Sequence, residues 1–226
     1  MAIALDVENE ITKGNDMLTL NGVTKSYGKR DILSDITHEF QPGLNLLVGP
    51  SGAGKSTLLR LCATVEKPSS GKLLWHNKPY TNVRKKLRFE LGYAPQIVDL
   101  PQDVTGMEFL AHIAALKGLE KRAKTQAFEI LAQLGLSDDA DQQIIGWSGG
   151  MRRRLILAQA LLGSPKLLAL DEPTAELDHE TAARVSKLIS SAAQSATVIL
   201  TTHLSEHFEA QGAAVLRVAN GTLTPS

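Results

Sequence analysis

Eight consecutive residues, Gly49-Pro50-Ser51-Gly52-Ala53-Gly54-Lys55-Ser56, satisfy the pattern G-x-x-x-x-G-K-[ST] at every position. Glycines in such a run let backbone N–H groups turn inward and approach phosphate oxygens, and the positive end of a following helix adds to the field. Lys55 is long enough to reach the β- and γ-phosphates of a nucleoside triphosphate, and the Ser56 hydroxyl suits the shell of a Mg²⁺ ion. The context agrees: the apolar run Leu44 to Val48 precedes the loop, and a helical stretch beginning at Thr57 follows it. Strand, loop and helix in that order predict triphosphate binding. The loop by itself leaves kinase, GTPase, helicase and other ATPase chemistry open.

Two further segments narrow the chemistry. Leu167-Leu168-Ala169-Leu170-Asp171-Glu172-Pro173 sets two carboxylates at the end of an apolar strand, the edge where open parallel sheets bind ligands. Asp171 suits magnesium, held largely through water, and Glu172 suits acceptance of a proton from an attacking water. Trp147-Ser148-Gly149-Gly150-Met151 opens a second helix whose N-terminus is built to meet an anion. One nucleotide needs one such cradle, so the second is surplus within a single copy.

The elements that must position these groups follow from hydrophobic spacing. Leu18 and Leu20, then Ile36, His38 and Phe40, alternate with polar residues as half-buried antiparallel strands do. Leu44 to Val48 and Leu167 to Leu170 read as strands buried on both faces. Gly71 to Trp75, Leu91 to Ala94, Thr197 to Thr201 and Ala214 to Val218 read as further strands. Helical spacing covers Thr57 to Ala63, much of Val104 to Leu136, Gly150 to Leu162 and Asp178 to Ala193. Strands alternating with helices predict an α/β fold with a mainly parallel, doubly wound sheet.

Composition sets the outer bounds. Of 226 residues, 24 are basic and 24 acidic, so no net positive charge favours nucleic acid. The clusters Arg84-Lys85-Lys86 with Arg88, and Arg152 to Arg154, lack interleaved aromatics and read as solvated or ion-paired faces. Cys62 is the lone cysteine, which excludes an internal disulfide and suits a reducing compartment. No apolar run reaches the roughly 18 to 20 residues that cross a bilayer. Residues 1–16, with Asp6, Glu8 and Glu10, read as a weakly structured lead without a secretory signal.

Taken in order along residues 17 to 218, these segments resemble the nucleotide-binding subunit of an ATP-binding cassette (ABC) transporter. The resemblance implies a P-loop core with an N-terminal antiparallel β-subdomain, an inserted helical subdomain at about 98–160, and one ATPase domain over 17–226. It implies that ATP and Mg²⁺ are bound and ATP is hydrolysed. Ser148, Gly149 and Gly150 would contact the γ-phosphate of ATP held by a second copy, in a head-to-tail homodimer or a heterodimer with a close relative. Tyr27, in Ser26-Tyr27-Gly28, corresponds to the aromatic that stacks on adenine. Gln96, in Tyr93-Ala94-Pro95-Gln96, matches the loop glutamine that senses Mg²⁺ and the γ-phosphate. Asp178, in Ala175-Glu176-Leu177-Asp178, matches the loop crossing the dimer interface, and His203 matches the switch histidine that orients the water and Glu172. Trp147, Met151 and Glu176 depart from the family's Leu, Gln and small residue at those positions.

A separate membrane-spanning subunit is the implied partner, with this chain cytoplasmic and peripheral to the inner face of the membrane. Its docking site would be the groove near Gln96 to Pro101, where Ile97, Val98 and Leu100 suit an apolar contact. The stretch Thr105 to Leu119, and a short chain without a C-terminal regulatory domain, lean toward bacterial exporters. A soluble ABC ATPase that remodels a protein or ribonucleoprotein is the alternative. A P-loop kinase would lack the second cradle and the Glu172–His203 pair. His38, His76, His112, His179 and His207 read as surface or packing residues.

Overall fold

The computed structural model describes residues 17–97, 99–119, 122–203 and 205–226. The lead over 1–16 and Val98 lie outside the described residues. The described residues open with β1 (Leu18–Tyr27) and β2 (Arg30–Phe40), paired antiparallel with Leu18 opposite Phe40 and Val23 opposite Ile36. β3 (Gly43–Val48) leads through the glycine loop into α1 (Lys55–Cys62). β4 (Ser70–Trp75) and the short β5 (Lys78–Pro79) complete a four-stranded antiparallel sheet in the order β2-β1-β4-β5.

α2 (Tyr80–Glu90) then leads into β6 (Leu91–Ala94). α3 (Gly106–Leu116), α4 (Ala123–Gln133) and α5 (Gly149–Leu161) precede β7 (Leu167–Asp171). α6 (His179–Ala193), β8 (Thr197–Thr201), the short α7 (Ser205–Glu209), β9 (Ala214–Ala219) and β10 (Thr222–Pro225) end the chain. The second sheet runs β10-β9-β3-β8-β7-β6, parallel throughout except for β10. The expected α/β architecture with a mainly parallel sheet is therefore present, beside the expected antiparallel sheet.

Each central strand divides its side chains between two cores, as a pleat with period two requires. Leu168 and Leu170 of β7, with Val198 and Leu200 of β8, face the core shared with α3 to α6. Leu167, Ala169 and Ile199 face the opposite core, with α1 and the antiparallel sheet. This is why those strands read as continuous apolar runs in the sequence.

α2 has no counterpart in the hydrophobic spacing, because Leu87 is its one fully buried side chain. The cluster Arg84 to Arg88 lies on this helix: Arg84 donates to the Thr64 carbonyl at 3.0 Å, and Lys86 pairs with Glu90 at 3.4 Å. The second arginine run is ion-paired through one member and otherwise bonded to backbone carbonyls. Among the described residues Arg153 ion-pairs with Glu176, Arg152 donates to the Ile145 carbonyl, and Arg154 donates to the carbonyls of Gly150, Leu134 and Gly135. Helix and turn ends leave carbonyls without helical partners, and a guanidinium offers five donors to fill them. Cys62 is buried, as expected.

β6 packs very closely on α5. A Cβ at Gly92 would stand 1.9 Å from the Ala160 carbonyl oxygen, and the Gln159 side chain donates to the Tyr93 carbonyl beside it. Gly92→Ala should force the helix off the strand. A loss of about 2 to 3 kcal/mol is expected in urea denaturation, and unchanged stability would contradict this packing.

Candidate nucleotide site

The carboxyl ends of β3, β8, β7 and β6 lie side by side, and each releases a segment singled out in the sequence. β3 gives the loop Gly49 to Ser56, β8 gives His203, β7 ends in Asp171 before Glu172, and β6 leads to Gln96. A cleft of about 280 Å³ forms there, lined among others by Tyr27, Lys55, Gln96, Asp171, Glu172 and His203. Ser51, Gly52, Gly54, Ser56 and Thr57 line it as well.

The loop is shaped by backbone constraints. Gly49 holds φ +145°, and a Cβ there would meet the Val218 carbonyl oxygen at 2.1 Å. Gly54 caps α1 in the left-handed region at φ 104°, with no side chain capping the helix. The first N–H groups of α1 therefore have no side-chain acceptor at the cap, the arrangement that suits phosphate oxygens. Lys55 Nζ spans the loop, donating to the carbonyls of Gly49 at 2.7 Å and Pro50 at 3.0 Å.

Asp171 and Glu172 are both buried, at 5% and 6% exposure. Side-by-side carboxylates in that setting need donors, and β8 supplies them. The Thr201 hydroxyl, opposite Asp171 in the parallel register, donates to Asp171 Oδ1 at 2.7 Å and accepts from the Glu172 N–H at 3.0 Å. Glu172 adopts φ +51°, a strained conformation for a residue with a Cβ. The turn aims its carboxylate at His203, whose backbone N–H donates to Oε2 at 3.1 Å while Nε2 stands 3.4 Å from Oε1. Burial raises the Glu172 carboxyl above its ordinary value, opposed by His203. Thr174 and Thr202, hydrogen-bonded at 3.0 Å, join the loops after β7 and β8.

The remaining predicted residues are not brought to this cleft. Ser148 caps α5, accepting from the Met151 N–H at 3.2 Å, and it and Gly149 are exposed away from the cleft lining. Gly150 is half-buried and also absent from that lining. Pro50 and Ala53 belong to the loop without lining the cleft. Asp178 caps α6, accepting from the Thr181 N–H at 2.9 Å; those hydrogen bonds lower its carboxyl below the usual range. Trp147 is buried in contact range of Gly106, and Met151 packs partly into the same core. Glu176, at φ +62°, pairs with Arg153 at 3.3 Å, and Arg153 also donates to the Glu172 carbonyl at 3.3 Å. Neither Thr201 nor Arg153 was legible as a supporting residue, since both act across elements far apart in the chain.

The family model described as "ABC transporter" matches residues 33–175. The chain belongs to the ABC transporter family. A Nod factor export ATP-binding protein I of Cupriavidus metallidurans is 35% identical over 199 residues, covering 85% of this chain and 65% of that protein. This chain thus spans about two-thirds of the length of such relatives. An uncharacterized ABC transporter ATP-binding protein of Bacillus subtilis is 34% identical, covering 92% of this chain and 70% of that protein. Among solved structures, a dimeric bacterial ABC transporter cassette superposes with a TM-score of 0.83 at 25% identity, covering 91% of this chain and 96% of that one. A dimeric cassette in a post-hydrolysis state with ADP and Pi has the same fold, with a TM-score of 0.83 at 24% identity, covering 92% of this chain and 98% of that one.

In this ABC cassette the Thr201 hydroxyl serves both buried carboxylate residues at once. Thr201→Val keeps the shape and removes the donor. We expect a stability loss of about 2 kcal/mol in urea denaturation, because a charged acceptor loses its buried partner. A valine variant as stable as the parent would show that the hydroxyl is dispensable.

Proposed function

We propose that this chain is the ATP-binding and ATP-hydrolysing subunit of an ABC transporter. The observation that carries the reading is the buried Glu172 carboxylate, held toward His203, in the same cleft as Lys55 and the uncapped start of α1. The loop from Gly49 to Thr57 binds the phosphates, with Lys55 exchanging its two loop carbonyls for phosphate oxygens. Tyr27, which lines the cleft and is 45% exposed, stacks on adenine. Glu172 takes a proton from water as the water oxygen bonds to the γ-phosphorus and the bond to the ADP oxygen breaks, giving ADP and inorganic phosphate. A raised carboxyl pKa makes Glu172 a better proton acceptor than an ordinary surface carboxylate, and His203 orients it.

The donors beside the phosphate loop are all hard oxygens: the Ser56 hydroxyl, the Gln96 amide and the Asp171 carboxylate, lining one cleft. That set fits Mg²⁺. Bound there, the ion would neutralise phosphate charge. The Thr201 hydroxyl orients Asp171 for it.

Ser148, Gly149, Gly150 and Asp178 lie outside the cleft of their own chain, with Ser148, Gly149 and Asp178 exposed, which supports a head-to-tail dimer in which each copy completes the other's site. A second groove of about 410 Å³, between β6 and the helices α3 and α5, is lined by Tyr93, Pro95, Leu100, Phe109 and Ile156. Ile97 beside it is 83% exposed, whereas Leu100 is half-buried rather than exposed, and Val98 is outside the described residues. This groove supports docking of a membrane-spanning partner. Among the described residues no helix is long and apolar enough to cross a membrane. The subunit would therefore sit on the cytoplasmic face through that partner. Export is favoured by the relatives named for Nod factor export.

Glu172→Gln is expected to bind ATP, lose turnover by about 100-fold or more, and run as an ATP-dependent dimer on a sizing column. Hydrolysis at the parental rate would remove Glu172 as the base. A gentle-detergent pull-down of the tagged chain from its own cells should recover a stoichiometric protein with several membrane spans. A soluble partner alone would instead favour a remodelling ATPase.

A further inference from the structure

Beside the cleft, a compact charge cluster surrounds a residue with no part in the motifs above. Glu66 lies in the segment after α1. Its Oε2 accepts the Tyr27 phenol proton at 2.6 Å and pairs with Lys25 Nζ at 2.8 Å. Its Oε1 accepts from Arg60 Nε at 2.6 Å. Arg60 Nη2 in turn donates to Thr57 Oγ1 at 3.1 Å and to the Tyr27 hydroxyl at 3.3 Å. The Lys25 ammonium stands over one face of the Tyr27 ring, 4.9 Å from its centroid.

We infer that Glu66 is a positioning residue for the nucleotide, holding the Tyr27 ring as a platform for the base and tying it through Arg60 to Thr57 in the phosphate-loop helix. The inference rests on the reading of Tyr27 as the base-stacking aromatic. A half-exposed tyrosine at a strand end loses rotamer freedom when it stacks, and that cost weakens binding unless the ring is already held. Here the phenol oxygen is held from both sides, as donor to Glu66 and acceptor from Arg60. Lys25 covers one ring face, so the opposite face is left for a purine. Lys25 and Arg60 would repel each other without the carboxylate between them. Burial disfavours the charged carboxyl, but hydrogen bonds from Lys25, Tyr27 and Arg60 outweigh it and hold the group down at about 2. Glu66 is therefore ionised wherever the protein works. Thr57 and Tyr27 both line the cleft, so the network connects its base end to its phosphate end.

The test compares Mg²⁺-ATP with inorganic tripolyphosphate, which has the phosphate chain and no base, by calorimetry on the full chain. Glu66→Gln should weaken ATP by about 5- to 30-fold and leave tripolyphosphate within about twofold. In a Tyr27→Ala background the same change should add almost nothing to the loss. Tyr27→Phe keeps the ring and removes the phenol donor, so it should weaken ATP in the same direction with tripolyphosphate unchanged. Equal losses for both ligands, or tighter binding of both, would overturn the inference by making Glu66 a structural prop or a repelling charge. Unaltered ATP affinity in Tyr27→Phe would overturn it even if the Glu66 variant fails to fold. If the parent protein binds ATP no better than tripolyphosphate, the reading of Tyr27 itself fails and the inference with it.

Discussion

The parallel register of β3, β8, β7 and β6 is the constraint on which the rest of the molecule depends. Parallel strands of matched register bring their carboxyl ends to one edge, and helices on both faces keep that edge open. Each strand end then releases a different chemical group within reach of the others. The glycine loop, a carboxylate pair, a histidine and a glutamine share one cleft, although more than 150 residues separate the first from the last. A one-residue slip of β8 against β7 would turn Thr201 away from Asp171 and exchange the two cores.

Burying two adjacent carboxylates at that edge costs solvation, and the surrounding structure offsets it with directed donors. Thr201 serves Asp171 and the Glu172 backbone, and the His203 N–H serves the Glu172 side chain. The left-handed backbone at Glu172 adds strain that the sheet on one side and Arg153 on the other hold in place. Arg153 reaches from α5, the helix capped by Ser148, to the Glu172 carbonyl and to Glu176. The helix that would serve a partner's nucleotide is thus bonded to the backbone of the residue that would serve its own.

A similar economy governs the other end of the cleft. α1 is held against the antiparallel sheet by a buried apolar face, with Leu58, Leu59 and Leu61 inside. Its polar face sends Thr57 and Arg60 toward Tyr27 and Glu66. One helix therefore begins at the glycine loop and sets its flank against Tyr27, so the distance between the two is set by a rigid element rather than by loops.

What the sequence determined on its own was whatever covalent spacing controls. The glycine loop, the Asp171-Glu172 pair and the Ser148-Gly149-Gly150 segment are each contiguous, and their strands and helices show the hydrophobic periods that burial demands. α/β architecture and the mainly parallel sheet followed from the order of those periods. α2 was silent because a helix with one fully buried side chain leaves no period to read. The tertiary structure alone decided which distant residues meet: Thr201 with Asp171, Arg153 with Glu172 and Glu176, Glu66 with Tyr27, and Gly92 with Ala160. Each of those contacts joins elements whose separation is fixed by strand register and helix packing, and neither quantity is encoded in the spacing of any one segment.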